Sequence, residues 1–123
     1  MTRPLILVVD DEQFYLDEFA LELEKSCRLE LFKGPDDFLE CPKEVFSAAN
    51  YIFIDYEFRI DDAITLELAQ FARKQGFRGK LILWSLYEEF EPEVQSSIDK
   101  NYDYFLCKAG LGVEKFLGSI NGR

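Results

Sequence analysis

The chain has 123 residues, a length at which one domain can bury a real core, and 48% of the residues are hydrophobic. Its 24 acidic and 14 basic residues give a formal net charge of −10, which argues against direct binding of nucleic acid or anionic lipid. No apolar run approaches the length of a membrane-spanning helix, about 20 residues, and the absence of histidine excludes Ser-His-Asp triads and His-ligated metal sites.

The N-terminus and the cysteines indicate a reducing compartment. Residues 1–4 lead directly into a strand-like run without a signal-peptide pattern, so the expected location is cytoplasmic, with no membrane insertion. Cys27, Cys41 and Cys107 are odd in number and lack metal-ligand spacing, which indicates reduced thiols rather than disulfides or a zinc site. Together with the acidic charge, this favours a protein partner.

Five short apolar runs alternate along the chain with longer spans. The runs cover residues 5–9, 28–32, 51–55, 81–85 and 103–107. The first, third and fourth runs are nearly continuous in apolar residues, which is typical of strands covered on both faces. The spans between the runs are longer than hairpins need and long enough for crossover helices, which favours parallel pairing.

The spans also carry apolar residues at helical spacing, so helices are predicted between and after the strands. In the fourth span Phe90, Val94 and Ile98 fall on one helical face. In the second span Pro35 suits the first turn of a short helix, and Pro42 should interrupt that helix. The other predicted apolar stripes are Leu16, Phe19, Ala20, Leu23 and Cys27; Ile64, Leu68, Phe71, Ala72 and Gln75; and Val113, Phe116, Leu117 and Ile120.

Five successive strand–helix units predict an α/β fold, a doubly wound, five-stranded parallel sheet with helices on both faces. The first strand must pair with the third across the switch point, which gives the flavodoxin-like order 2-1-3-4-5. No linker, low-complexity stretch or internal repeat interrupts the pattern, so residues 1–123 are expected to form a single domain.

Polar residues stand at the carboxyl ends of four predicted strands. Asp10 and Asp11 follow the first strand, Asp55 ends the third, Ser85 ends the fourth and Lys108 follows the fifth. These ends lie at one edge of a parallel sheet, where such sheets bind ligands. Three carboxylates held close repel one another unless a cation lies between them, and a lysine opposite them suits an anion such as a phosphoryl group. The set therefore predicts a metal-assisted phosphoryl site.

The motifs at residues 8–12, 53–55, 83–85 and 105–108 resemble, in order and approximate spacing, the CheY-like receiver domains of two-component response regulators. The resemblance covers essentially the whole chain and implies a single receiver domain without an output domain. It implies a phosphorelay signalling switch that takes a phosphoryl group from a histidine kinase or histidine phosphotransfer protein and is read by a downstream target. Enzymatic activity would be at most self-phosphorylation from that donor and weak autodephosphorylation.

The resemblance also assigns the metal ligands and the nucleophile. Asp55 would attack the phosphoryl group and become an aspartyl phosphate. Asp11 would hold Mg²⁺ directly, Asp10 would act mainly through coordinated water, and the backbone carbonyl of Glu57 would complete the protein ligands. The metal would neutralise the acids and bridge to phosphoryl oxygens.

Further roles follow from the same resemblance. Lys108 would pair with a phosphoryl oxygen, and the Ser85 hydroxyl would turn toward the phosphate. Phe105 occupies the aromatic switch position and should swing inward when Ser85 moves. Leu86 and Tyr87 form the pocket rim and should restrict the entry of small phosphodonors and of the hydrolytic water.

Phe14 and Tyr15 open the first predicted helix beside the acidic residues. Successive helical residues point in different directions, so one of the two aromatic side chains should face outward. An exposed aromatic ring at this position would suit an interface with a phosphodonor.

Alternative functions and folds are also compatible with parts of the sequence. A degenerate receiver that binds proteins independently of phosphorylation is the main one, because Leu86 could crowd the pocket and Ala109 stands where receivers usually have a cis proline. A flavodoxin is less favoured, since residues 10–12 would repel its phosphate. A haloacid-dehalogenase-type phosphatase needs an Asp-x-Asp motif, which residues 55–57 do not provide.

Overall fold

The computed structural model describes residues 3–56, 64–87, 89–108 and 112–121. In these ranges each strand is followed by one helix, except that β2 is followed by two, and no described helix has the length and apolar character needed to cross a bilayer. The elements in chain order are β1 (Leu5–Val9), α1 (Gln13–Leu23), β2 (Arg28–Phe32), α2 (Pro35–Leu39), α3 (Lys43–Ala48), β3 (Tyr51–Asp55), α4 (Ile64–Lys74), β4 (Lys80–Ser85), α5 (Pro92–Asn101), β5 (Tyr104–Cys107) and α6 (Val113–Asn121).

The five strands form one parallel sheet in the order β2-β1-β3-β4-β5. The predicted fold class and strand order are therefore confirmed. The register aligns the carboxyl ends of the strands: Val9 lies opposite Ile54, and Ser85 lies opposite Cys107. Residues that follow β1 and end β3 consequently meet at one edge of the sheet.

Side chains of the central strands alternate between two cores, because successive strand residues point to opposite faces. Both faces of β1 and β3 are buried, as their continuous apolar runs predict. Full burial of one such side chain contributes about 1.5–3 kcal/mol. One core includes Leu7, Ile54, Leu83, Phe38 and Leu68, and the other includes Val8, Phe53, Trp84, Phe19 and Leu117.

Helix ends depart from the predicted apolar stripes in three places. Phe90 precedes α5 rather than lying on it, because the helix begins at Pro92, whose fixed φ and missing N–H suit the first helical turn. Cys27 and Gln75 lie beyond the ends of α1 and α4. The predicted interruption at Pro42 is confirmed, since this residue separates α2 from α3 and lies at the N-cap of α3.

Candidate functional site

Three carboxylates converge at the carboxyl edge of the adjacent strands β1 and β3. Asp10 and Asp11 follow β1, Asp55 ends β3, and one carboxylate oxygen from each lies within 4.8 Å of the others. Asp10 and Asp55 are fully buried, whereas Asp11 is partly exposed and opens the cluster toward solvent. The fold thus brings together the three acids that the sequence places at separate strand ends.

Lys108 follows β5 and reaches across the sheet edge to two of these acids. Its Nζ atom lies 2.6 Å from Asp55 Oδ1 and 2.9 Å from Asp10 Oδ2, and the residue is only 2% exposed. Burial alone would lower the pKa of Lys108, but the charges of Asp55 and Asp10 outweigh burial and raise this pKa above its ordinary value. The side chain is therefore a charged ammonium at neutral pH.

The acids are incompletely compensated by this ammonium. Burial raises the pKa of the Asp10 carboxyl, although Lys108 and a 2.8 Å hydrogen bond from the Glu12 backbone N–H oppose that shift. Asp11 Oδ1 is buried and has no hydrogen-bond partner in the part of the chain that the structure describes. Three carboxylates and one ammonium leave a charge of −2 when all are ionised. An all-oxygen donor set with this charge fits a hard divalent cation such as Mg²⁺ or Ca²⁺.

Ser85 ends β4 with its side chain buried at the same edge of the sheet. Its Oγ accepts a hydrogen bond of 2.9 Å from the Tyr87 backbone N–H, which fixes the start of the following loop. The side chains of Leu86 and Tyr87 are 51% and 56% exposed. Both predicted rim residues therefore project from the loop into solvent.

Phe105 lies on the edge strand β5 and is 37% exposed. Its ring packs edge-on against Phe90 at a centroid distance of 5.8 Å, and Phe90 packs against Tyr56 at 4.8 Å. An aromatic chain therefore joins the predicted switch residue to the residue that follows Asp55. The Phe105 ring is in a partly exposed position in this structure.

Two aromatic rings that the sequence did not assign to the site contact Lys108. Nζ lies 4.2 Å from the centroid of the Tyr15 ring and 5.0 Å from the centroid of the Trp84 ring. Trp84 lies within the apolar run 81–85 and the motif 83–85, and neither pattern gave its side chain a role at the site. The only sequence signal for Tyr15 was its position beside the acidic residues, four residues after Asp11.

A further contact that the sequence did not predict supports the strand that carries Asp55. The Thr65 hydroxyl, in the first turn of α4, donates to the backbone carbonyl of Asp55 at 3.2 Å. The Tyr102 hydroxyl in turn donates to the Thr65 carbonyl at 2.7 Å. Buried hydrogen bonds thus join the end of β3 to α4 and to the segment that follows α5.

Two residues named in the sequence analysis lie outside the described residues. They are Glu57, whose backbone carbonyl is the expected further metal ligand, and Ala109, which follows Lys108. Both assignments stay predictions. Of the two aromatic residues that open α1, Phe14 is 59% exposed and Tyr15 is partly buried, so the outward-facing ring is Phe14.

No protein-family model and no curated protein sequence matches the chain. Solved structures do match it. The Vibrio cholerae chemotaxis protein CheY4 is 16% identical, with 98% of each chain covered and a TM-score of 0.77. A CheY-like response regulator receiver domain protein from Methanospirillum hungatei is 22% identical, with 98% of this chain and 93% of that chain covered and a TM-score of 0.74.

A third matching structure is a response regulator protein from Burkholderia pseudomallei with a phosphorylated aspartic acid and a calcium ion. It is 20% identical, with 94% of this chain and 65% of that chain covered and a TM-score of 0.72. Similarity at these identities establishes the fold, and the predicted resemblance is confirmed at that level. The chain has the fold of CheY-like receiver domains over nearly its whole length.

Proposed function

We propose that this chain is a phosphoryl-accepting signalling switch, in which Asp55 receives a phosphoryl group from a partner phosphohistidine in a Mg²⁺-dependent reaction. The observation that carries the proposal is the cluster of Asp10, Asp11 and Asp55 around the buried Lys108 ammonium. This cluster lies at the carboxyl edge of a parallel sheet, where doubly wound folds bind their ligands. The receiver fold of the chain supports the same assignment.

The proposed metal ligands are Asp10, Asp11, Asp55 and the backbone carbonyl of Glu57. The net charge of −2 on the described cluster matches one divalent cation, and the buried Asp11 Oδ1 lacks a protein partner within the described residues. When bound, Mg²⁺ would neutralise the carboxylates and polarise the phosphoryl oxygens. The Burkholderia pseudomallei neighbour, with its calcium ion and phosphorylated aspartic acid, supports a divalent cation in this role.

Asp55 is the proposed nucleophile because it is the acid of the cluster that also ends the central strand β3 and contacts Lys108. Its carboxylate oxygen would form a bond to phosphorus while the phosphorus–nitrogen bond of the donor breaks. The electron pair of that bond would stay on the imidazole nitrogen, and the leaving imidazole would take up a proton. The product would be an acyl phosphate on Asp55.

Lys108 and Ser85 would stabilise the transferred group. The Lys108 ammonium would pair with a phosphoryl oxygen, and the Ser85 hydroxyl would donate a hydrogen bond to another. Movement of Ser85 would also move the loop at Tyr87, because the Tyr87 backbone N–H donates a 2.9 Å hydrogen bond to Ser85 Oγ. The Phe105 ring would then turn inward and change the surface formed by α5, β5 and α6.

The proposed partners are a histidine kinase or histidine phosphotransfer protein as donor, and a downstream target protein as reader. The exposed Phe14 ring, one position before Tyr15, would contact the donor. The expected location is the cytoplasm, where such donors present their phosphohistidine. Turnover would be limited to self-phosphorylation and slow loss of the phosphoryl group.

A degenerate receiver that binds its partner without phosphorylation is the second candidate. The observation that favours it is the bulk of Leu86 and Tyr87, which stand on the loop directly after Ser85. Such a protein would keep the fold and the partner surface. It would not accept a phosphoryl group.

Labelling by a small phosphodonor separates the two candidates. We expect intact-mass spectrometry after treatment with phosphoramidate and Mg²⁺ to show one added phosphate per chain. Chelation of the metal should prevent the labelling. A parent protein that stays unlabelled under these conditions would favour the phosphorylation-independent binding module.

A further inference from the structure

We propose that Tyr15 and Trp84 form an aromatic seat that positions the Lys108 ammonium for phosphoryl transfer. The inference rests on the proposed function, because it assigns Lys108 its place in that reaction. The seat consists of one ring from α1 and one ring from β4, and the ammonium comes from the segment after β5. Tyr15 and Trp84 are thus positioning residues that act through Lys108.

The geometry is that of two cation–π contacts to one ammonium. Nζ lies 4.2 Å from the Tyr15 ring centroid and 5.0 Å from the Trp84 ring centroid, within the range of about 6 Å where such contacts are attractive. The two rings meet edge to face at 5.4 Å with an interplanar angle of 78°. The carboxylates of Asp10 and Asp55 contact the same Nζ at 2.9 and 2.6 Å.

The aromatic packing around the seat limits the movement of both rings. Trp84 is fully buried, and its ring packs edge-on against Phe19 at 4.7 Å. Tyr15 packs against Phe14 at 5.2 Å on the side toward solvent. Because packed aromatic rings cannot shift without disturbing their neighbours, the seat holds the ammonium at a fixed depth in the pocket.

The seat matters for the reaction because Lys108 has to exchange partners. Before transfer the ammonium contacts Asp55, the proposed nucleophile, and Asp10. When the phosphoryl group arrives, the ammonium would have to contact a phosphoryl oxygen instead. Rings that attract the ammonium whichever anion it contacts keep it beside the reacting atoms during that exchange.

The first test measures the seat itself and does not depend on phosphorylation. An ammonium held over aromatic faces gives an NMR signature, because ring currents shift the signals of the Lys108 Cε and Nζ protons upfield. We expect this shift to persist in Tyr15→Phe, which keeps the ring, and to diminish in Tyr15→Leu, which removes it. Equal Lys108 shifts in the parent and both variants would overturn the seat.

The second test measures positioning through labelling rates with phosphoramidate at fixed Mg²⁺. We expect Tyr15→Leu to label roughly tenfold more slowly and Tyr15→Phe to stay within about twofold of the parent. Trp84→Leu, which removes the ring, should likewise label more slowly than Trp84→Phe, which keeps an aromatic ring. Trp84→Phe also removes an indole N–H that is buried without a hydrogen-bond partner among the described residues, so this change breaks no hydrogen bond of that group there.

A double-mutant cycle with Lys108→Met distinguishes positioning from general damage. If the rings act through Lys108, Tyr15→Leu should cause no further loss of rate in the Lys108→Met background. An equal tenfold loss in both backgrounds would overturn the inference. A parent that takes no label would contradict the proposed function, whereas the NMR shifts would still support or overturn the seat.

Discussion

Asp10 and Lys108 show how single residues at the pocket depend on one another. Burial raises the pKa of Asp10, so the ionised carboxylate is disfavoured in the folded protein. Protonated Asp10 therefore favours the folded state, and this stabilisation is lost as the pH rises through the raised pKa. For Lys108 the charges of Asp55 and Asp10 outweigh burial, so its side chain stays charged in the folded protein. A bound divalent cation would relieve the cost that the ionised Asp10 imposes at neutral pH.

Metal binding should therefore stabilise the folded protein. Mg²⁺ at a concentration 100 times its dissociation constant would contribute about 2.7 kcal/mol. We expect millimolar Mg²⁺ to raise the melting temperature and change the fluorescence of Trp84, the single tryptophan of the chain. Asp11→Asn should abolish most of both effects.

Asp99→Asn is the matched control for this experiment, because Asp99 is an exposed carboxylate on α5 and not part of the acidic cluster. It makes the same change of charge and should keep the full response to Mg²⁺. A parent protein whose melting temperature and Trp84 fluorescence do not respond to millimolar Mg²⁺ would argue against the metal site.

Leu86 and Tyr87 should control access to the pocket. In-line attack requires an open path on the far side of phosphorus, and both side chains stand at the start of the loop after Ser85. We expect slow phosphorylation of the parent and still slower decay. Leu86→Ala should accelerate labelling by acetyl phosphate, and Tyr87→Ala should mainly shorten the lifetime of the phosphorylated form.

The comparison uses labelling and decay rates of the parent and the two variants at fixed Mg²⁺, with melting temperatures as a check on the fold. Equal rates in all three proteins would show that neither side chain restricts the site. That result would also remove the observation that favours the degenerate receiver.

At the scale of elements, buried hydrogen bonds connect helix α4 to its neighbours. The Tyr102 hydroxyl donates to the Thr65 carbonyl at 2.7 Å, and Thr65 donates to the carbonyl of Asp55. These two bonds join the residue after α5 to β3, the strand that ends at Asp55. A substitution of Tyr102 that removes its hydroxyl therefore measures how much these hydrogen bonds contribute to the free energy of unfolding.

Tyr102 should make stability depend on pH in the alkaline range. Burial raises its pKa well above 10.0, so the folded state holds the phenolic proton more tightly than the unfolded state. The stabilisation that results is fully present below pH 10.0, the pKa of the unfolded state, and is lost as the pH rises beyond it. Tyr102→Phe removes both the titrating group and the hydrogen bond.

We expect Tyr102→Phe to be about 1 kcal/mol less stable than the parent at pH 7, because it lacks the bond to Thr65. Above pH 10.0 the difference should shrink, since only the parent must keep a buried phenol protonated. Urea unfolding of both proteins at pH 7 and above pH 10.0 measures the stability difference at each pH. Tyr87→Phe, at an exposed position, should leave the stability at pH 7 unchanged. A constant difference across the pH range for Tyr102→Phe would contradict the assignment.

Element boundaries show where sequence patterns were sufficient and where they were not. Continuous apolar runs predicted β1 and β3 correctly, because burial on both faces leaves few polar positions in a strand. The apolar stripe that included Phe90 ran past the start of α5, since hydrophobic spacing reports which residues are buried rather than where the helix begins. Pro92 fixes that start by its backbone geometry.

At the scale of the whole molecule, the strand order was predictable because parallel crossovers permit few arrangements. The convergence of Asp10, Asp11 and Asp55 followed from that order. The contacts of Tyr15 and Trp84 with Lys108 were not predictable. They depend on which face of β4 meets α1 and on how deeply a lysine side chain enters the core, and neither is encoded in a local pattern.

The sheet also explains why a chain with a net charge of −10 can hold a buried cluster of acids. Two apolar cores fix the strands from both sides, so their carboxyl ends stay close although the side chains there repel one another. The sheet thus holds these carboxylates close together, and a bound cation would relieve the repulsion between them. The fold and the proposed chemistry depend on the same strand ends.

The central claim is that Asp55 accepts the phosphoryl group, and locating the phosphate tests it most directly. After treatment with phosphoramidate and Mg²⁺, borohydride reduction of the acyl phosphate followed by peptide mass spectrometry identifies the labelled residue. We predict homoserine at position 55 in the parent and no labelling in Asp55→Asn. Modification at Asp10 or Asp11, or a phosphate that persists in Asp55→Asn, would contradict the account.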